Sequence, residues 1–98
     1  MSLKLDIIIG GNSFRVDAII TDYDGTPWDP TTQSIQLYTP AGVASGAALT
    51  APTKVGIGSY TQEITLPATP SGRWKVRWSC VSGTAKVSSS DIYFDVIL

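Results

Sequence analysis

Asp22, Asp24 and Asp29 form the one local cluster of hard oxygen ligands in the chain, and Asp22-Tyr23-Asp24-Gly25 has the outline of a calcium loop. A helix-loop-helix calcium site needs flanking helices and a bidentate acid at the twelfth position, where this chain has Gln33. An Asp-Gly pair in a turn-rich chain is expected instead to bond nearby backbone amides, so no metal is expected here. Ser88, Ser89 and Ser90 supply hydroxyls beside Asp91, with Lys86 the one conceivable base for a Ser–Lys pair. The chain has no His, which removes His-dependent acid–base catalysis and triads. Glu63 is the sole Glu, leaving little from which to build paired carboxylates for glycoside cleavage. Cys80 falls on the apolar side of its segment and reads as an inert buried thiol. A single cysteine also builds neither a disulfide framework nor a Cys/His zinc site. No catalytic residue, metal ligand or cofactor site is assigned, and the chain is read as non-enzymatic.

Binding chemistry has two further sources. Arg15, Arg73, Lys75, Arg77 and Lys86 could set positive charge on one outer face, as a nucleic-acid binder would. The net charge is nevertheless -1, from seven Lys+Arg against eight Asp+Glu, and no aromatic residue interleaves Arg73, Lys75 and Arg77 on their side of the segment. A solvated sheet face that discourages edge pairing is the expected reading, with no nucleic-acid partner. Tyr23 and Trp28 lie in a loop stiffened by Pro27 and Pro30. They either stack on a partner or a sugar as exposed contact residues, or Trp28 folds back as a lid over one open end of the fold; the lid is preferred.

The elements that must position these residues are strands. Eleven Ser, eleven Thr, nine Gly and six Pro punctuate short bursts of Val, Ile, Thr and aromatic residues. Phe14, Val16, Ala18 and Ile20 alternate with Arg15, Asp17, Ile19 and Thr21, the period of a strand with one face on a core. Trp74, Val76, Trp78 and Cys80 do the same against Arg73, Lys75, Arg77 and Ser79. Further strands are read over 3–9, 33–38, 58–66 and 86–98, with one short strand near 47–51 in the weakly patterned 43–57 stretch. Turns are read at Gly10-Gly11-Asn12, Pro40-Ala41-Gly42 and Ser82-Gly83-Thr84. No helical period persists, and no apolar run approaches the roughly 20 residues of a membrane helix, so no membrane partner is expected. The start has no basic run followed by an apolar core and a cleavage site, so no signal peptide is read.

These features predict an all-β chain, a single domain over 1–98, folded as an immunoglobulin-like antiparallel β-sandwich of about seven strands. Trp74, Trp78, Phe14, Ile35, Ile64 and Phe94 are its expected core. The apolar 3–9 run and Ile97-Leu98 are candidate contact segments, unless they pair within the monomer.

Three stretches resemble small immunoglobulin-like proteins encoded among the structural genes of tailed bacteriophages and prophages. They are Thr21-Asp22-Tyr23-Asp24-Gly25-Thr26-Pro27 leading through Asp29-Pro30-Thr31-Thr32 to Ile35-Gln36-Leu37, the Pro40-Ala41-Gly42 hairpin, and Gly58-x-Tyr60 running to Gly72-Arg73-Trp74-Lys75-Val76-Arg77-Trp78 and Phe94-x-Val96. The resemblance implies a virion structural or assembly protein that contacts other phage structural proteins or itself, in the virion or in the host cytoplasm during assembly. Similar turns recur in bacterial adhesin and surface-protein sandwiches, so an adhesin-type or carbohydrate-binding module is the alternative. Stacking aromatics on an exposed face would favour that alternative; an apolar, self-complementary edge or patch would favour assembly.

Overall fold

The computed structural model describes residues 2–10, 13–22, 24–65, 71–82 and 86–96. Among them there is no helix, and eight strands follow in chain order: β1 Ser2–Gly10, β2 Ser13–Thr21, β3 Thr32–Tyr38, β4 Ala44–Leu49, β5 Thr53–Gly56, β6 Ser59–Thr65, β7 Gly72–Ser82 and β8 Lys86–Val96. They build two four-stranded antiparallel sheets, ordered β1-β2-β6-β5 and β4-β3-β7-β8. The chain is thus an all-β sandwich whose two inner faces share one core.

Alternation explains that core. Phe14, Val16, Ala18 and Ile20 of β2 are all buried, and the register sets Ile7, Leu5 and Leu3 of β1 beside Val16, Ala18 and Ile20. In the other sheet Trp74, Val76, Trp78 and Cys80 of β7 are buried, with Ile35 opposite Trp78 and Phe94 opposite Trp74. Phe14 and Phe94 join the sheets with ring centroids 4.6 Å apart, a contact that adds about 0.5–1.5 kcal/mol beyond burial. The Trp78 indole N–H, which would be costly to bury alone, donates to Gln33 Oε1 at 2.9 Å.

The eight strands agree with the expected count of about seven; the 43–57 stretch, read as holding one short strand near 47–51, holds two, β4 and β5. They lie at the edges of different sheets, where one-sided pairing needs little apolar patterning. Ile64 is only partly buried, unlike the other five residues expected in the core, since it sits one residue from the end of β6 at the rim of the interior. Arg15 lies on β2, in the opposite sheet from Arg73, Lys75 and Arg77, so the five basic residues share no face. The 3–9 run, a candidate contact segment, pairs along its length with β2. The expected turns at Gly11-Asn12 and Gly83-Thr84, the 67–70 connection and Ile97-Leu98 lie outside the described residues. The Pro40 turn forms as read, with Gly42 N–H donating to Thr39 O at 2.9 Å.

Candidate functional site

The loop after β2 is built from its own backbone. Asp22 N–H donates to Thr26 O at 2.8 Å, Gly25 N–H to Asp22 O at 3.0 Å, and Thr26 N–H to the Asp24 carboxylate at 3.0 Å. An aspartate closing a turn onto an amide two residues on is the arrangement the Asp24-Gly25 pair favours. Trp28 then returns to the body of the sandwich: its backbone N–H donates to Ile20 O at 3.1 Å, and its half-buried side chain packs against the core. That is the geometry of a lid. Tyr23, the other candidate contact residue, lies outside the described residues.

Asp29 does not join Asp22 and Asp24. Its Oδ1 accepts Gly58 N–H at 2.8 Å and the Tyr60 hydroxyl at 3.0 Å, while Oδ2 receives Lys54 Nζ at 2.7 Å. One carboxylate thereby ties the β2–β3 loop to the β5–β6 hairpin. The Gly58 amide, then Lys54, then Tyr60 hold its carboxyl below the usual aspartate range. Burial first, and Asp29 second, push the Tyr60 phenol up to about 12. Gly58 has φ 67°, and a Cβ there would stand 2.4 Å from Ile20 O and 2.8 Å from Trp28 N, so the hairpin tip meets β2 only because this residue has no side chain. Spacing in sequence could not find this latch, since its partners lie 25 to 31 residues away from Asp29.

Among the described residues no three His, Cys, Asp or Glu side chains converge as metal ligands. The serine run is also differently engaged. Asp91 takes a forked pair of bonds from Arg77 at 2.9 and 3.3 Å, which holds its carboxyl below the usual range, and Ser79 donates to Ser89 at 3.3 Å. Burial pushes the Cys80 thiol up, which keeps it protonated at neutral pH.

The outer face of the β7 sheet carries aromatics that β7 alone does not reveal. Register places Tyr38 and Tyr93 on either side of Lys75, and Gln36 and Asp91 on either side of Arg77. Lys75 Nζ lies 4.7 Å from the Tyr38 ring centroid and the Arg77 guanidinium 5.4 Å from it, so cations cover that ring. Tyr93 is 55% exposed. On the other sheet, an open groove of about 280 Å³ runs between Arg15, Asp17, Ile19, Val55 and Thr61.

The lateral edges differ. β1 and β8 border each other across one side of the sandwich. On the other side β4 is an outermost strand with five of its six residues exposed. No Lys, Arg, Asp or Glu occurs from Pro30 to Thr53, and the two charges that bound this stretch, Asp29 and Lys54, pair with each other at 2.7 Å. Gln36 Nε2 donates to Ser45 O and Gly46 O at 3.2 Å each, filling the bulge where β4 departs from β3 register.

Comparisons with protein-family models, curated proteins and solved structures find no match to this chain. Among the described residues, fold and surfaces together define the class: a two-sheet antiparallel β-sandwich whose β4 edge is uncharged and exposed.

Proposed function

We propose that this chain is a non-enzymatic assembly module that works through protein–protein contacts, in the manner of phage or prophage structural proteins. The observation that carries the reading is the β4 edge. It is uncharged and solvent-exposed, with Val43 just before it and Leu49 at its end, which are 62% and 38% exposed. Unpaired backbone N–H and C=O groups along such an edge can accept a strand from another chain. The virion setting rests on the sequence resemblance.

An immunoglobulin-like ancestry agrees with the strand order, which follows the ABED sheet and the CFG sheet with one strand added beside C. The departure is in the core: both buried tryptophans are on β7, and Ile35 of β3 takes the place where antibody domains put theirs. Tyr93, with Tyr38 two strands away, favours the second reading, a glycan-binding adhesin-type module. The cations over Tyr38 weaken it, because they occupy a ring that a sugar would stack on.

Mass spectrometry of purified virions or of induced prophage particles tests the first reading, with the protein expected in particles or assembly intermediates. Its absence from both overturns that reading. Glycan-array binding lost in Tyr93→Ala would then establish the second.

A further inference from the structure

Three strands set Tyr38, Lys75 and Tyr93 in one outward row, and Gln36, Arg77 and Asp91 in the row two residues along β7. The cations of this face are not equivalent. Arg73 pairs with Asp95 at 3.2 Å and Arg77 with Asp91 at 2.9 Å. Lys75 makes no ion pair among the described residues, and its ammonium rests 4.7 Å from the Tyr38 ring centroid. Three cations thus meet two carboxylates, and the unmatched charge is at Lys75. One strand away stands Tyr93, more than half exposed, while its neighbour Phe94 points inward and is buried. An aromatic ring left in water beside an unmatched cation is suited to a ligand that has both an apolar face and one negative charge.

We infer that this face binds a carboxylated sugar. The C–H face of the sugar ring stacks on Tyr93, and its carboxylate takes a charge-assisted bond from Lys75. The Arg77–Asp91 pair sets a donor beside an acceptor, which suits sugar hydroxyls. Tyr38 is not a platform here: its ring holds the ammonium in place, so the cations that cover it belong to the site. A single unmatched charge also separates this ligand from others. A phosphodiester strand needs a run of free cations and would meet Asp91 and Asp95 on the same face, and a neutral sugar leaves Lys75 unused. Pairing of β7 with β8 over eleven positions fixes these groups on rigid strands. The inference names the sugar class for the glycan reading. It stands apart from assembly, because the β4 edge lies beyond β3 from Lys75 and Tyr93 and stays free.

The test presents the chain with uronate- and sialate-terminated oligosaccharides, and with the same oligosaccharides after carboxyl reduction, on an array and in NMR titrations up to about 1 mM glycan. The acidic forms are expected to bind, and carboxyl reduction to weaken binding by roughly three- to tenfold. Lys75→Gln should bind both forms alike, and Tyr93→Ala should bind neither. Ile19→Ser, on the exposed face of the other sheet, should leave binding unchanged. Circular dichroism and thermal melts establish that each variant is folded. Failure to bind any acidic glycan, or binding indifferent to Lys75→Gln, overturns the proposal. Equal binding of acidic and reduced forms, lost in Tyr93→Ala, also overturns it but leaves the glycan reading standing. A single-stranded oligonucleotide bound more tightly than the acidic glycans overturns it in favour of nucleic acid. Mass spectrometry of particles decides the assembly reading separately.

Discussion

β7 and β4 belong to the same sheet and obey different rules. β7 has a neighbour on each side, β3 and β8, and a sheet packed over one face; four of its side chains are buried and its outward side is a ladder of cations. β4 has one neighbour, and of its six residues only Ser45 is less than exposed. Alternation is written where a strand must tell an inside from an outside. At an edge with little to bury, the pattern is free to fade, and what the residues then encode is compatibility with water or with another chain.

The largest test of that contrast is at the centre. Trp78→Ala should cost about 3–5 kcal/mol in urea unfolding, because it empties a fully buried indole site and strands the Gln33 carbonyl. For a domain of this size such a loss approaches the whole stability. If Trp78→Ala and a β4 substitution proved equally mild, the distinction between the two strands would fail.

Gly58→Ala should follow at about 1–3 kcal/mol by the same measurement, since it adds a Cβ at a positive φ and against Ile20 O. The expected damage is to the seam between the β5–β6 hairpin and β2, which makes it a measure of how far the edge strand β5 depends on its tip.

The Asp29 latch makes a pH prediction. Its carboxyl is held below its ordinary value of 3.8 in the folded chain, so the latch contributes fully at neutral pH. Below about pH 4 the unfolded chain takes up the proton first, and that contribution is progressively lost. Asp29→Asn should therefore lower the melting temperature at pH 7 and flatten the acid limb of a melting-temperature profile. Asp91, held down by Arg77, should retain part of that limb. At the alkaline end Tyr60 has its pKa raised from 10.0 to about 12, so stability should fall as pH rises between those values, and Tyr60→Phe should remove that fall.

The smallest effects are expected on the outward faces. Arg73 and Asp95 pair at 3.2 Å with both side chains mostly in solvent, so Arg73→Ala should shift stability by less than about 1 kcal/mol in urea titration. Ala48→Ser on β4 should stay within about 0.5 kcal/mol. A larger cost at Ala48 would mean that β4 carries packing in the monomer, and would sharpen the contrast in the other direction.

Sequence by itself determined the class of fold and most of its interior. Period-two runs place Phe14 to Ile20 and Trp74 to Cys80 correctly because each of those strands buries one face over its whole length, and solvent exclusion leaves that face apolar. The local turns were equally legible, since the Asp24 and Pro40 turns close within a few residues. Three things were decided only by tertiary structure. Strand order moved Arg15 to the opposite sheet from the β7 cations and put Tyr38 and Tyr93 beside Lys75, because lateral neighbours in a sheet come from residues far apart in the chain. Asp29 looked like a member of an acidic turn, yet its partners Lys54, Gly58 and Tyr60 are brought to it by the crossing of the chain from one sheet to the other. The division of 43–57 into β4 and β5 had no pattern to announce it: each borrows its hydrogen bonds from a stronger neighbour, β3 or β6, and so needs no burial code of its own.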